Sequence, residues 1–390
     1  MMLLWLLAAG PGCAHRAAPL PVDLAAPVTR VPLDPAVRAA LEAGAADLDV
    51  SVRRDAIAAL VTADPAPAGG AWGQRGRFDP SEYVQRATVA AVEPRLAEVE
   101  ARALLRTLVE DATAGPWVRG AAAIALARAG RDGVVPADEV VADRARITAA
   151  SAQVTGGRGG ALLLAAAITG DTAAAGRLAD QLAAGNLPLE LWFFRAIGNS
   201  GLPSLVPPLV AALDRVEPEI QLALAAALLE LGSPAGERAL VAALGEGEER
   251  ALEAIEYLSE ARSPAAEGVL KGALVGAPVF HDAAALALFG RGQGELREVV
   301  RVLGEGDVGS RLLAAQAAGR RLTLDPSADG ADRLRAALRD ALPEADPGLE
   351  LAAIEALGGS RVPADRAALT TLLESESVRV RVAAAVALAR

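Results

Sequence analysis

Alanine and leucine recur three or four positions apart along most of the chain, which is the spacing of one face of an α-helix. Three segments match one another without gaps, at residues 52–60, 118–126 and 380–388. Each begins with Val-Arg, continues with small or apolar residues at helical spacing, and ends in a leucine on the face that the valine begins. The pattern therefore predicts one amphipathic helix that is repeated along the chain.

Weaker copies of this helix fill the space between the three clear ones. Their starting positions recur at roughly 30 residues, with two longer intervals near 40, so about eleven units result. The longer intervals contain residues 131–157 and 320–333, where the sequence predicts an insertion or a degenerate extra turn. The weaker copies begin at residues 84, 158, 189, 220, 250, 279, 310 and 349.

A second amphipathic segment precedes most of these helices, as in residues 237–247, 267–276 and 332–342. Glycine, proline and aspartate stand at the junctions, where they are typical of helix ends and N-caps. Each unit is therefore predicted to be a helix, a turn and a helix. Because one such hairpin cannot bury its apolar stripe alone, stacked neighbours would share a continuous core, and the predicted fold is all-α.

The repeated helices resemble those of HEAT-repeat proteins, in particular the short HEAT-like units of phycobilisome-lyase-related repeats. The resemblance covers residues 36–390 and implies a right-handed α-solenoid of about eleven helical hairpins, with the second helices on its concave side. Proteins of this kind are generic interaction scaffolds, with some catalytic exceptions. The residues that carry the resemblance are Val52, Arg53, Ala56, Leu60, Val118, Arg119, Ala122 and Leu126.

Two places depart from the regular pattern. Residues 63–80 are rich in proline and glycine and predict a surface loop inserted between the first two units. The sequence ends at Arg390 on a repeat helix with no polar cap, so we expect either a docking surface there or a tolerated exposed face.

The charge and composition of the chain limit the ligands and reactions that can be expected. The net charge is −11 and Lys271 is the single lysine, so the basic footprint that nucleic-acid binding requires is missing. One cysteine permits no intramolecular disulfide and no structural thiolate zinc site. The predicted folded region has one histidine, His281, followed by Asp282; the iron-binding HEAT-like oxygenases use His-Glu pairs instead. The sequence therefore predicts no metal, no cofactor and no enzymatic activity.

Aromatic residues supply the candidate partner-binding positions. Trp192, Phe193 and Phe194 are consecutive, so at least one ring should face away from the core of a helix. Exposed aromatic side chains commonly anchor protein interfaces, although core packing of two of the three is the alternative. Trp72 and Phe78 in the predicted loop form a second candidate, with loop anchoring as the alternative.

Arg53, Arg119 and Arg379 recur at the starts of the clear repeat helices. One interpretation makes them a row of ligand-binding groups on the concave face. The structural interpretation, which we favour, is that each arginine pairs with a turn carboxylate or carbonyl of a neighbouring unit and fixes the stacking, as Asp49 before Arg53 suggests.

The N-terminal residues predict where in the cell the protein is located. Residues 3–10 suit the apolar region of a secretion signal, and Gly12 before Cys13 resembles the lipidation site of bacterial lipoproteins, although Gly10 and Pro11 depart from that pattern. Residues 1–13 would then be the signal and residues 14–35 a Pro/Ala-rich tether.

The predicted function is a non-enzymatic scaffold that binds another protein, lipid-anchored in the bacterial cell envelope, on the outer membrane facing the periplasm. The alternatives are a HEAT-like enzyme, of the phycobilin-lyase or DNA-glycosylase kind, and a soluble periplasmic protein or cytoplasmic adaptor without lipidation. The sequence leaves the identity of the partner open.

Metabolic labelling with a fatty-acid probe tests the anchor. We expect the wild-type chain to take up the label and the Cys13→Ser variant to lose it, because the thiol is the acceptor. Label retained in that variant would refute lipidation at Cys13.

Overall fold

The computed structural model describes residues 32–63, 65–153, 159–184, 190–261, 263–276, 278–343 and 346–390. The predicted N-terminal signal, Cys13 and nearly all of the tether lie outside these residues. Within them the regular structure is helical, with 22 α-helices and a few single turns of 3₁₀-helix. The all-α fold class is therefore confirmed.

We number the helices along the chain. The first fourteen are α1 (Pro35–Gly44), α2 (Val50–Ala63), α3 (Ala71–Arg77), α4 (Glu82–Val92), α5 (Val99–Glu110), α6 (Pro116–Arg131), α7 (Ala137–Ala152), α8 (Gly160–Ile168), α9 (Thr172–Ala183), α10 (Leu191–Gly198), α11 (Val206–Leu213), α12 (Pro218–Glu230), α13 (Pro234–Ala243) and α14 (Glu248–Glu260). The remainder are α15 (Pro264–Gly276), α16 (Pro278–Gly290), α17 (Leu296–Glu305), α18 (Val308–Leu324), α19 (Ala331–Asp340), α20 (Pro347–Leu357), α21 (Pro363–Thr371) and α22 (Val378–Ala389).

The even-numbered helices are the repeat helices that the sequence predicts, and each follows an odd-numbered helix to form a hairpin. The 22 described α-helices thus make the predicted eleven hairpins. Repeat helices pack on one another in succession, as α4 on α6, α6 on α8, and α18 on α20. Their buried faces are largely alanine and leucine. The longer predicted intervals contain two long helices, α7 and α18, of 16 and 17 residues.

The helices form two compact units. Residues 66–269 make one, which we call the central unit. The described residues between 32 and 65 join those between 270 and 390 in the other, which we call the terminal unit. The N-terminal hairpin α1–α2 thus belongs with the C-terminal hairpins and packs on α22. The last helix is covered on this side, which corrects the expectation of an exposed final face.

The predicted loop at residues 63–80 contains the first helix of the second hairpin, α3, and this is a correction. Gly73 is buried because its Cα packs against the Ala68 carbonyl, where a Cβ would come within 2.1 Å of the oxygen. Arg95 donates to the Ala66 carbonyl at 2.6 Å, and the Glu98 carboxylate accepts from the Ala68 amide at 3.2 Å. Tertiary contacts therefore stabilise a two-turn helix whose glycines disfavour it locally.

No helix in the described part of the chain is long and apolar enough to cross a membrane.

Close stacking generates a prediction at Gly120 of α6. A Cβ built there would lie 2.3 Å from the Ala161 Cβ of α8, whereas a Cβ on Gly176 of α9 meets nothing within 4 Å. We expect Gly120→Ala to lower the free energy of unfolding by about 1–3 kcal/mol, because two repeat helices must separate. The matched control Gly176→Ala should raise it by about 0.5–1 kcal/mol through helix propensity.

Urea unfolding followed by circular dichroism measures both variants. Equal effects of the two substitutions would contradict close packing of α6 on α8.

Candidate interaction surface

An aromatic cluster lies where three repeat helices of the central unit begin. Trp117 of α6 meets the Trp192 ring of α10 edge to face, with ring centroids 5.4 Å apart. Phe193 stacks obliquely against Trp117 with centroids 5.8 Å apart and Phe194 lies beside it. Phe193 and Phe194 are 0% and 3% exposed. They are core residues, as in the alternative in which two of the three consecutive rings pack inside, so Phe193 and Phe194 are wrong as partner-binding positions.

Trp192 is half-buried and forms one side of a stack with α4. The Arg86 guanidinium carbon lies 5.3 Å from the Trp192 ring centroid and 4.9 Å from that of Tyr83. Arg86 also pairs with the Glu190 carboxylate at 3.2 Å. The Tyr83 side chain is 58% exposed. A cation between two rings, also held by a carboxylate, has a fixed orientation.

The three rings occupy the same position in their repeat helices. Tyr83, Trp117 and Trp192 are each the second residue of a repeat helix, in α4, α6 and α10 respectively. Residues at the same position of stacked repeat helices lie at the same end of the stack, and Trp117 and Trp192 meet there although α8 comes between α6 and α10 in the chain. Tyr83, Arg86 and Trp117 were not among the residues predicted from the sequence to bind a partner. The aromatic residue at the first turn of three repeat helices was the signal that could have found them.

A second exposed ring precedes the stack in the chain. Phe78 is 69% exposed, and the Arg77 guanidinium carbon lies 4.7 Å from its ring centroid. Arg77 pairs with Asp111 at 3.2 Å. Trp72, the other predicted residue of this segment, is half-buried on α3. We call Phe78, Tyr83 and Trp192, with Arg77 and Arg86 stacked on them, the aromatic surface.

Four buried polar atoms of this region have no hydrogen-bond partner among the described residues: Arg77 Nε, Gln85 Oε1, Arg86 Nε and Trp192 Nε1. Gln85 is held in place, because its side-chain amide donates to the Asp79 carbonyl at 2.7 Å. Buried polar groups are normally satisfied. These four atoms are therefore exceptions to that rule among the described residues.

The recurring arginines lie at turns. Arg53 donates to the carbonyls of Asp47 and Leu48, each at 2.9 Å, and Arg119 donates to the Val109 carbonyl at 3.0 Å. These partners are carbonyls of the preceding turn or helix in the arginine's own hairpin, so the expectation of a partner in a neighbouring unit is wrong. The carboxylate of Asp49 instead caps the start of α2, accepting from the amide and hydroxyl of Ser51 at 2.7 and 2.6 Å.

In the last hairpin the matching arginine is Arg381, and the choice of Arg379 is wrong by two positions. Arg381 follows Val380 as Arg53 follows Val52, and it donates to the Ser375 and Glu376 carbonyls at 2.6 and 3.0 Å. The error came from the doubled Val-Arg at residues 378–381, which offers two registers. Only the position of the preceding turn distinguishes them.

A cluster of ion pairs connects the odd-numbered helices α5 and α7. Arg102 and Arg106 both bond the Glu139 carboxylate, Arg102 at 2.8 and 2.9 Å and Arg106 at 2.5 Å. Asp143, 4% exposed, bonds Arg106 and Arg146, each at 2.7 Å. The hydrogen bonds from Arg102 and Arg106 hold the pKa of Glu139 at about 2, well below its usual value. Each acid has an arginine partner, so the cluster connects two hairpins.

His281 lies on the surface at the start of α16, with its Nδ1 3.5 Å from Asp282 Oδ1. Among the described residues no group of three histidine, cysteine, aspartate or glutamate side chains is arranged to hold a metal ion.

Comparisons with known proteins identify no family for this chain. No family model and no curated protein matches it. Among solved structures, human deoxyhypusine hydroxylase in complex with glycerol aligns with a TM-score of 0.31 and 18% identity over 82% of this chain and 96% of that one. An engineered protein aligns with a TM-score of 0.27 and 18% identity over 91% of this chain and 98% of the engineered one.

A chain from a structure concerned with the interaction between cadherin and β-catenin aligns with a TM-score of 0.23 and 15% identity, over 86% of each chain. Likenesses of this size identify no activity.

The Glu139 cluster predicts a pH dependence of stability. Because the folded pKa of Glu139 is about 2 and the ordinary value is 4.5, folding favours the carboxylate. Its contribution is fully present above the unfolded pKa and is lost as the pH falls through the interval toward 2. We therefore expect Glu139→Gln to destabilise the protein most near neutral pH, and the gap from the wild type to narrow in acid.

Urea unfolding between about pH 7 and pH 3 measures that gap. Glu42→Gln, which removes an exposed carboxylate 3.5 Å from Arg38, is the matched control and should change stability little at any of these pH values. A gap for Glu139→Gln that stays constant with pH would contradict the assignment.

Proposed function

We propose that this helical-repeat protein is a scaffold that binds another protein through the aromatic surface. The observation that carries the proposal is the exposure of two rings, Phe78 at 69% and Tyr83 at 58%, each with a stacked arginine. Aromatic residues are 3% of this chain, so two exposed rings in one short segment are a local concentration. Aromatic and arginine side chains are the residue types that contribute most to binding energy at protein interfaces.

The geometry favours binding because the surface is held in place before a partner arrives. Arg77 is fixed by Phe78 and Asp111, and Arg86 is fixed by two rings and Glu190. Side chains that are already ordered lose less conformational entropy when a complex forms.

The groups at this surface support a binding role and not a reaction. Its two arginines, Arg77 and Arg86, are held in ion pairs and against rings, an arrangement that presents a guanidinium in a fixed orientation to a partner. We therefore propose a non-enzymatic scaffold.

We further propose that the protein is lipid-anchored through Cys13 in the bacterial cell envelope, on the outer membrane facing the periplasm. This proposal rests on the apolar residues 3–10 and on Gly12 before Cys13, all of which lie outside the described residues. The Pro/Ala-rich residues 14–35 would hold the folded body away from the bilayer.

Affinity capture from cross-linked envelope extracts tests the scaffold function. We expect a variant with Phe78→Ser and Tyr83→Ser to lose a captured protein that the wild type retains, with a loss of at least about tenfold if the two rings are anchors. Phe193 and Phe194 are unsuitable for this test, because their substitution would disturb the core.

The control is Val141→Ser on α7, a side chain of the same unit that is 70% exposed. It should keep the captured protein. Equal capture by the wild type, the double variant and the control would remove the aromatic surface as the binding site.

A further inference from the structure

The last helix of the chain has neighbours on two sides. On one side α22 packs against α20, its predecessor in the repeat order. On the other side it packs against α1 and α2, which come from the opposite end of the chain. Val382 is 2% exposed and Ala385 is 0% exposed, so the side chains of α22 are buried as in the middle of a repeat array.

The N-terminal hairpin occupies the place of a following repeat. The same three positions of α2 and α22 are buried, and the arginine next to each first valine donates to the carbonyls five and six residues before it. The contact between chain ends is therefore a repeat-stacking contact. The matched buried residues are Val52 and Val380, Ala56 and Ala384, and Leu60 and Leu388.

The fit between the two ends is close. A Cβ built on Gly44, the last residue of α1, would lie 2.4 Å from Val382 Cγ2 and 3.1 Å from the Ala56 Cβ. Leu41 and Ala45, on either side of Gly44 in the sequence, are both 0% exposed. Close complementarity of this kind specifies one partner surface, because even a single added methyl group has no space.

The helices that meet at this interface are not consecutive in the chain. The residues that follow α2 belong to the central unit, whereas α2 itself belongs to the terminal unit with α22. Only non-covalent contacts therefore place the hairpin α1–α2 on α22. A helical hairpin held in this way can be supplied by the same chain or by an identical chain, which is the situation that permits exchange between protomers.

We propose that the outer face of α22 is a docking site for a repeat hairpin, filled by α1–α2 of the same chain in the monomer and by α1–α2 of a second copy in an exchanged dimer. The linked hairpin has the advantage of high effective concentration, so the monomer prevails in dilute solution. The dimer buries the same contacts twice, once for each α22, and forms as the protein concentration rises. This proposal does not depend on the aromatic surface.

Cross-linking of mixed chains tests the exchange, in a Cys13→Ser background so that the introduced thiols are the only ones. One chain carries Gly44→Cys and a differently tagged chain carries Val382→Cys. In the Gly44→Cys chain, the new side chain would collide with Val382 of the same chain. The Val382→Cys chain has a smaller side chain at that position, so the altered hairpin fits better on the second chain. After incubation of the mixture at high concentration and oxidation, we expect a disulfide-linked heterodimer.

The matched control uses a stacking contact between neighbours in chain order. A Cβ on Gly319 of α18 would lie 3.0 Å from the Ala356 Cβ of α20. Mixed Gly319→Cys and Ala356→Cys chains should give several-fold less heterodimer, since adjacent hairpins have little freedom to exchange. Equal yields from the two mixtures, or no heterodimer from the first, would overturn the proposal.

Two further measurements keep the outcome decisive if a cysteine variant folds poorly. The unaltered chain should show a dimer fraction that rises with concentration in sedimentation equilibrium, and a chain that is monomeric throughout would overturn the proposal. A chain with both Gly44→Cys and Val382→Cys, oxidised when dilute, should stay monomeric where the wild type dimerises. Dimerisation of this locked chain to the wild-type extent would also overturn it.

Discussion

Close stacking of alanine-rich helices is the constraint on which the rest of this structure depends. A two-helix hairpin has too little apolar surface to fold alone, so each hairpin is stable only with a neighbour on its buried face. Small residues bring the backbones together, as Gly120 does against Ala161 and Gly44 against Val382. The same requirement explains why the two ends of the chain meet. The apolar face of α22 that α20 does not cover packs against the apolar face of the N-terminal hairpin. Each face buries the other.

Arginine side chains add directional hydrogen bonds to this apolar stacking. Arg53 and Arg381 each donate to two carbonyls of the turn before their helix, and Arg102 does the same toward Leu96 and Ala97 at 2.9 Å. The last carbonyls of a helix and the turn after it lack intrahelical partners, and a guanidinium can satisfy two of them at once. Each hairpin is thereby fixed at a definite angle, which apolar contacts between alanines could not specify. The carbonyl partners expected for the recurring arginines are observed, but they lie within the same hairpin and not in a neighbouring unit.

The aromatic surface arises because three hairpins of the central unit begin their repeat helices with a ring at the same position. Tyr83, Trp117 and Trp192 then meet at one end of the stack, and Arg86 lies between two of them. The consecutive aromatics at residues 192–194 were visible in the sequence, and two of them are core. Which ring faces outward depends on the rotation of a short helix about its axis, and the neighbouring helices set that rotation. Tyr83 had no feature that distinguished it until the repeat helices were aligned on their first residues.

The sequence by itself determined the local structure. The recurrence of Val-Arg, alanine and leucine at helical spacing, with breakers between, was sufficient for an all-α chain of eleven hairpins, since helix periodicity and caps are local properties. Tertiary structure decided the rest. Residues 71–77 form a helix in a segment whose glycines and prolines indicate a loop, because Leu104, Arg95 and Glu98 pack on or bond this segment. The packing of α1–α2 on α22 was also undetermined, because every repeat presents a similar face, and sequence similarity cannot say which two faces will join.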